Sequence, residues 1–428
     1  MFEETTFYES AEKGERPLFS EFKNYVGQFR HLIIWGAGNL GTALGKVLQE
    51  RSIAISVYWD QDYKNKPVCN GVNVIEPFTG DYKPEDTLVI IGIVNGTLSH
   101  TWQKGVLLRH GYEHSLLGMY IYEAIGCGQE IGKPLDIKEC VGTNICNFNT
   151  CKRYMNIVKN GREKTGLSVQ VLEIIVSSRC TLDCKYCGQQ AGETKRKFPK
   201  KYRDYPLEEI KESIDAVMDI LDVVGTFSII GGEAFIHPDI GEIIRHCLTK
   251  DNVAIIAITT NGVCKISDEL LEMIKDDRVK INFSNYTENL PKNEKNLFWS
   301  NVEKIKQHGF ACNVATPIWT ISTDELRENP DFSEKTVIAR KNKCVFGPSI
   351  AGKYLYACPQ TERQHRMEVR NVEQDIIDLS GNRAKLADKI RDLLGRKHYE
   401  ACKYLCTNMK PTKQIPPGEQ YRAWSEQI

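Results

Sequence analysis

Along its hydrophobic and polar positions, the chain alternates short apolar runs with segments whose apolar residues recur every three or four positions. The first run is His31-Leu32-Ile33-Ile34-Trp35, followed by a glycine-rich turn and a helical stretch to Glu50. Further apolar runs lie at Ile53–Trp59, ending at Asp60, and at Thr87–Ile91. Such runs, bounded by turn residues and separated by helical stretches, predict a parallel α/β sheet over residues 1–125. Residues 126–168 carry little periodicity and read as a connector. The alternation resumes with predicted strands at Val169–Val176, Thr226–Ile230, Val253–Ile258, Val279–Phe283 and Ala311–Thr316. Between the first two, Pro206 opens a helix with Leu207, Ile210, Ile214, Val217, Met218 and Leu221 on one face. Repeated β-then-α units over 169–330 predict a partial (β/α) barrel, an architecture whose strand C-termini carry the chemistry. From about Lys341 the helices shorten, and 331–428 reads as a small cysteine-bearing appendix.

Composition narrows the class. The chain has 428 residues, enough for two or three domains with buried cores, and 41% hydrophobic against 26% charged residues is ordinary for a soluble globular protein. Lys and Arg balance Asp and Glu at 56 each, so no global charge favours nucleic acid or a membrane surface. Met1-Phe2-Glu3-Glu4-Thr5 lacks the basic and apolar regions of a signal peptide, and no apolar run approaches a bilayer's span. The expected compartment is the cytoplasm. Fifteen cysteines are many for that compartment, where metal ligation is the usual alternative to disulfides.

Cysteine spacing points to iron and sulfur. Cys180-x3-Cys184-x2-Cys187 places three soft ligands within eight residues on a loop after a strand. Three ligands leave one iron of a 4Fe–4S cluster open. Two phrases follow at later strand ends: Gly231-Gly232-Glu233 with His237-Pro238-Asp239, and Thr259-Thr260-Asn261-Gly262 with Ser284 beyond. Over residues 169–320 this ordered set resembles the radical S-adenosylmethionine (SAM) superfamily. The resemblance implies that the open iron chelates the amino and carboxylate groups of SAM, and that an electron through the cluster releases a 5′-deoxyadenosyl radical. It further implies that Tyr186 packs near the adenine, and that Gly231, Gly232 and Glu233 meet the methionyl amino group. Thr260 and Ser284 would then meet the ribose or carboxylate. His237 reads as structural, and Cys247, Cys264 and Cys312 as buried, inert thiols. Lys195-Arg196-Lys197, Lys200-Lys201 and Arg203 read as a solvated loop, able to bind a phosphorylated substrate if it overhangs the barrel mouth.

Toward the C-terminus, Cys344, Cys358 at the end of a short hairpin, and Cys402-x3-Cys406 supply four further ligands. This pattern resembles the Twitch domain, a shortened SPASM domain, and implies a second, auxiliary 4Fe–4S cluster with no open iron; a structural zinc on the same four residues is the alternative. The last pair has three intervening residues where relatives often have two. Cys140, Cys146 and Cys151, with Cys127 nearby, match no recognised spacing.

Gly36-x-Gly38-x-x-Gly41 follows the first strand and opens a helix, with Asp60 about twenty residues on. This is the dinucleotide fingerprint, with phosphate at the helix N-terminus and the acid on a ribose. The segment resembles small Rossmann-like domains of nucleotide-sugar and polysaccharide-tailoring enzymes. It reads as a handle for a nucleotide or nucleotide-linked substrate, as a redox NAD site, or as a structural or oligomerising domain.

The resemblance implies a radical SAM oxidoreductase that abstracts hydrogen from an unactivated C–H bond. Its expected substrate is a carbohydrate or nucleotide-linked sugar, dehydrogenated with the auxiliary cluster as electron acceptor and a flavodoxin- or ferredoxin-type donor as reductant. A sugar epimerase, a peptide- or protein-modifying maturase, and a non-catalytic nucleotide-binding sensor are the alternatives; an intact Gly-Gly-Glu segment argues against the sensor. The sequence names neither the substrate nor the proton-transferring residue.

Overall fold

The computed structural model describes residues 2–3, 7, 19–93, 100–125, 167–322, 333–334, 337–338, 341, 344, 346–368, 371–403 and 412–421. By internal contacts the chain divides into two compact units, residues 1–170 and 171–428. Cys127, Cys140, Cys146, Cys151 and Cys406 lie outside the described residues, as does nearly all of the expected connector.

In the first unit, helix α1 (Phe19–Val26) precedes β1 (His31–Trp35), α2 (Asn39–Glu50), β2 (Val57–Trp59), β3 (Val68–Cys69), β4 (Val72–Ile75), β5 (Thr87–Ile91), α3 (His100–Arg109), β6 (Ser115–Leu117) and α4 (Gly118–Ile125). The strand order is β3-β4-β2-β1-β5-β6. All neighbours are parallel except the β3–β4 pair. Strands β1 and β5 are unbroken apolar runs, as a parallel sheet covered on both faces requires. Ile33, Ile34, Leu88, Val89 and Ile90 are fully buried, together with Leu44 and Leu48 of α2. From β1 the chain goes first to one side of the sheet and later to the other. The C-terminal end of β1 is therefore a topological switch point, the place where open α/β sheets bind ligands.

The second unit's sheet begins with β7 (Ser168–Ser177). It continues through α5 (Ala191–Lys197), α6 (Leu207–Met218), β8 (Val223–Gly231), α7 (Ile240–Leu248), β9 (Val253–Thr260), α8 (Asp268–Met273), β10 (Val279–Ser284), α9 (Lys292–Gln307) and β11 (Ala311–Ala315). Then come β12 (Trp319–Ser322), β13 (Ser349–Ala351), β14 (Tyr354–Tyr356), α10 (Pro359–Arg366), β15 (Ile376–Asp378), α11 (Leu386–Gly395) and β16 (Thr412–Ile415). The eight-stranded order is β11-β10-β9-β8-β7-β13-β14-β15. Strands β8 to β11 run parallel to one another and β7 runs parallel to β13, giving the α/β partial-barrel core the β-then-α pattern predicts. Ile229, Ile256, Ile258 and Ile281 are fully buried in it, each contributing about 1.5–3 kcal/mol relative to exposure. The appendix is continuous with this sheet, because hairpin β13–β14 pairs onto β7 and β15 onto β14. A separate antiparallel pair joins β12 to β16, with Trp319 opposite Ile415.

One local reading is corrected. The basic run after the cysteine loop is largely exposed to solvent, but it is not a loop: Lys195, Arg196 and Lys197 end helix α5, and Lys200 and Lys201 lie in a 3-10 turn. Several of these charges are held by partners, Arg196 by Asp183 at 2.7 Å, Lys201 by Glu368 at 2.7 Å and Lys195 over the Tyr202 ring at 5.9 Å. Among the described residues no helix is long and apolar enough to cross a membrane.

Candidate functional site

The strand ends of the second unit meet at the cysteine loop. β7 stops at Ser177, whose hydroxyl donates to Asp204 at 2.6 Å and accepts from Arg179 N at 2.9 Å, turning the chain out of the sheet. The Tyr202 hydroxyl then accepts from Cys180 N at 3.0 Å and donates to Cys180 O at 3.1 Å, fixing the first cysteine from both sides. The three cysteines share one apolar cluster, in which Leu182, Cys184, Val263 and Leu290 are buried and Cys180, Cys187, Tyr286 and Trp319 pack around them. Tyr186 is half exposed with φ +56°, so the backbone bends sharply just before Cys187.

The Gly-Gly phrase is explained by contact with this loop. Gly232 N donates to Ser177 O at 2.9 Å and Glu233 N to Arg179 O at 2.8 Å. A Cβ on Gly232 would stand 2.2 Å from Arg179 O, and one on Gly231 2.8 Å from Ser177 O. Only glycine lets the end of β8 press this closely on the loop.

Glu233 and Thr260 turn toward each other. Glu233 Oε1 accepts from Phe235 N at 3.1 Å and from Thr260 Oγ1 at 2.8 Å, while Oε2 accepts from Asn261 N at 2.7 Å. Burial holds the Glu233 carboxyl above the usual range, and these donors offset that only in part. The Thr260 hydroxyl also accepts from Gly262 N at 3.0 Å. Both are almost fully buried, and their side chains join the ends of β8 and β9. Ser284 lies at the end of β10 in hydrogen-bond contact with Tyr286, whose phenol burial holds above its ordinary range.

His237 is buried, with Nε2 2.9 Å from Tyr205 O and Nδ1 accepting from Asp239 N at 3.0 Å, as a structural histidine should be. Cys247 and Cys264 are buried, and burial pushes the Cys247 thiol up to about 12; Cys312 is half-buried and raised for the same reason.

The thiols fit a cluster. Burial raises Cys180 and lifts Cys184 to about 12, so deprotonated ligands here need a positive partner, which iron would supply. Among the described residues no three His, Cys, Asp or Glu side chains gather tightly enough for a single metal ion.

The second cysteine set lies beneath α10. Cys358 stands at the N-cap of that helix, buried, its sulfur 3.4 Å from Thr361 Oγ1. Burial raises the Tyr399 phenol, and Cys358, Cys402 and Cys344 lie near enough to that ring to add to the shift. No described cysteine is in a disulfide. Helix α10 also carries a buried ion pair, Glu362 with Arg366 at 2.7 Å, and Arg366 reaches Gln189 O at 2.8 Å beside the first cysteine loop.

In the first unit, Gly36 has φ +112°, and a Cβ on Gly41 would stand 1.8 Å from Gly36 O. Nothing lies within 4 Å of a Cβ on Gly38, so the turn is tight at two glycines and open at the middle one. Asp60 Oδ2 accepts from Ala37 N at 2.7 Å and Oδ1 from Asp62 N at 2.8 Å, so the acid shapes the glycine loop itself. Lys66, which the fingerprint does not include, places its ammonium against Ala37 O and Thr42 Oγ1.

Residues 174–329 match the Radical SAM superfamily, and the chain accordingly carries a radical SAM superfamily domain. Among curated relatives, GTP 3',8-cyclase of Aquifex aeolicus (strain VF5) is 31% identical over 134 residues, 31% of this chain and 40% of the relative. The antilisterial bacteriocin subtilosin biosynthesis protein AlbA of Bacillus subtilis (strain 168) is 30% identical over 106 residues, 25% of this chain and 21% of the relative. The matches thus span less than half the length of either relative. Among solved structures, BtrN in complex with AdoMet and 2-DOIA superimposes with a TM-score of 0.32 at 14% identity, covering 59% of this chain and 96% of that one. Streptococcus suis SuiB bound to S-adenosylmethionine gives 0.29 at 16% identity, covering 57% and 48%.

Proposed function

We propose that this chain is a radical SAM oxidoreductase that dehydrogenates a carbohydrate or nucleotide-linked sugar. The observation that carries the radical SAM reading is the convergence of Cys180, Cys184 and Cys187 in one apolar cluster at the ends of β7 to β10. When bound, the first cluster and SAM supply the 5′-deoxyadenosyl radical that removes a hydrogen atom, and a second cluster supplies a place for the electron left behind.

The chain's own residues do the rest. Cys180, Cys184 and Cys187 hold the first cluster, and Tyr202 and Ser177 fix the loop that presents them. Gly231 and Gly232 offer backbone to the methionyl end of SAM, held in place by the buried Glu233–Thr260 link. Ser284 and Tyr186 flank the ribose and adenine. Cys344, Cys358, Cys402 and Cys406 hold the auxiliary cluster in a Twitch-like segment. The Gly36–Gly41 loop, open at Gly38, is a Rossmann-like cradle for a nucleotide phosphate, which favours a nucleotide-linked sugar as substrate. A flavodoxin- or ferredoxin-type protein of the cytoplasm supplies the electron. The net reaction removes two hydrogens: one atom ends in 5′-deoxyadenosine, and the other leaves as a proton and an electron.

Reconstituted protein incubated with candidate nucleotide-sugars tests this. The expected result is substrate-dependent 5′-deoxyadenosine, one per turnover, and a product two mass units lighter. A product of unchanged mass in ordinary water, one unit heavier in deuterium oxide, makes the chain an epimerase and leaves the radical SAM reading standing. Similarity to AlbA over 106 residues favours peptide modification as the second reading, and 5′-deoxyadenosine formed only with peptide substrates would establish it in place of the first.

A further inference from the structure

A segment near the C-terminus crosses the cysteine loop as an added strand. Lys185 N donates to Glu419 O at 2.6 Å and Tyr421 N to Asp183 O at 2.9 Å, a short antiparallel bridge centred on Cys184 and Gln420. Side chains secure it: Lys185 pairs with Glu419 at 2.7 Å, and Arg196, held by Asp183, lies 4.3 Å from the centre of the Tyr421 ring. Behind the bridge, Asn289 Nδ2 donates to Pro417 O at 2.9 Å. Gly418 has φ +76°, and a Cβ there would come within 2.5 Å of Tyr286. The β12–β16 pair anchors the start of the segment.

The Gln420 side chain points inward, and its orientation is fixed by its partners. Its Oε1 accepts from Asp183 N at 2.8 Å, and its Nε2 donates to Gly418 O at 2.6 Å. Reversing the amide would set an oxygen against a carbonyl and an NH2 group against an N–H, so the assignment follows from the network. The remaining N–H of Nε2 is directed at Cys184 Sγ, 3.2 Å away. Longer contacts serve Cys180, whose Sγ accepts from Leu182 N at 3.4 Å and Asn261 Nδ2 at 3.5 Å.

We propose that Gln420 is a positioning residue that raises the reduction potential of the cluster on Cys180, Cys184 and Cys187, through its amide N–H to the Cys184 sulfur. The inference rests on the radical SAM reading of that loop. A hydrogen bond withdraws charge from a ligating sulfur and favours the reduced, more negative cluster; hydrogen bonding and solvent exposure are the two levers a protein has here once its ligands are chosen. The strap pulls both: it donates to the central sulfur and covers the loop that carries it.

The test is an EPR-monitored redox titration of the reconstituted holoenzyme and of Gln420→Leu, which keeps the bulk and removes the donor. At a fixed applied potential the reduced-to-oxidised ratio of the SAM-binding cluster should fall about tenfold in the variant, a shift of about 59 mV for a one-electron couple. Gln420→Glu, which sets a carboxylate near the sulfur, should fall further. An unchanged potential at parental iron content overturns the proposal. If the variants lose the cluster, the decision passes to the unsubstituted protein labelled with 15N in its glutamine side-chain amides. Hyperfine coupling of that nitrogen to the reduced cluster is expected, and its absence overturns the proposal. Parent protein with no reducible cluster on the three cysteines would instead overturn the radical SAM reading.

Discussion

The glycine loop of the first unit and the cysteine loop of the second occupy the same kind of place, just past the C-terminus of a buried parallel strand, yet they are held together differently. The glycine loop closes on its own neighbourhood: its partners Asp60 and Lys66 lie 23 and 29 residues from Ala37. The cysteine loop draws on the whole second unit. Tyr202 is 22 residues from Cys180, Asn261 is 81 away, and Gln420 is 237 from Asp183. A loop of the first kind draws on partners within its own small sheet, whereas one of the second kind is ordered only once strands far apart in the chain have paired.

The largest effect that bears on this contrast is chemical. On the proposed reading, Cys184→Ala removes one of three ligands in a loop with no spare thiol, so reductive SAM cleavage should vanish while a second cluster survives. The measurement is 5′-deoxyadenosine formation beside iron content, which should fall from about eight to about four per chain. Cleavage at the parental rate would show that the loop does not hold the SAM-binding cluster.

The two loops also differ in what a methyl group would break. Gly41→Ala sets a Cβ 1.8 Å from Gly36 O, inside the glycine loop itself, and Gly232→Ala sets one 2.2 Å from Arg179 O, between two strand ends. Each should cost about 3 kcal/mol, because backbone rather than a flexible side chain must move. Gly232→Ala should also release the cysteine loop to proteolysis, whereas Gly41→Ala should leave it protected. Equal protection in both variants would mean that the cysteine loop does not depend on its contact with β8.

This contrast sets what can be read from sequence. Strand runs such as Val253–Ile258 were legible because a parallel sheet buried on both faces needs continuous apolar residues, and the structure extends that run only to Thr260. The cysteine spacing was legible because it sits in one loop. Lys195–Lys197 was misread as loop, since only tertiary partners such as Asp183 and Tyr202 give those charges their places. The motif does not reveal that Glu233 and Thr260 bond each other, because that contact joins two strand ends 27 residues apart. Gln420 and Tyr202 carried no signal at all; neither lies in a motif, and both act through contacts that exist only in the folded chain. Lys66 could have been suspected, as a cation shortly after a dinucleotide fingerprint.

A smaller effect separates the units by pH. Glu173 on β7 is half-buried, its Oε1 shut off from solvent and unpartnered among the described residues. Burial raises its pKa to about 7, and Arg363 opposes the shift only in part. A carboxyl raised on folding binds more protons in the native state than in the unfolded one between about 4.5 and 7, so stability falls as pH rises through that window. Between pH 5 and 7 the loss should be about 2 kcal/mol. Urea unfolding of the full chain, followed by a probe in residues 171–428, should show this slope, and Glu173→Gln should flatten it. A slope that persists in the variant would assign the pH dependence to other groups.

The smallest expected change in stability makes the sharpest test of the glycine loop. Gly38 is exposed, has an ordinary φ of −73°, and stands at the N-cap of α2 with no side-chain cap. Nothing lies within 4 Å of an added Cβ. An aspartate there meets no steric objection, and as an N-cap residue it should stabilise α2 by a few tenths of a kcal/mol relative to glycine. The same carboxylate would sit where a bound phosphate must approach the helix N-terminus. Gly38→Asp should therefore leave the melting temperature unchanged or slightly raised while weakening a nucleotide at least tenfold. Gly38→Ala, with the methyl but no charge, should bind nearly as the parent does. Calorimetric titration of all three proteins with NAD and with a uridine diphosphate sugar separates the outcomes. Loss of binding in the aspartate variant alone places a phosphate at Gly38. Equal binding in all three places the nucleotide elsewhere, and no binding to the parent leaves the first unit a structural or oligomerising domain. The loop closes on its own neighbours through Asp60 and Lys66 without help from a ligand, so its order in the structure is no evidence of nucleotide binding, and only a measurement that holds stability constant can tell the two roles apart.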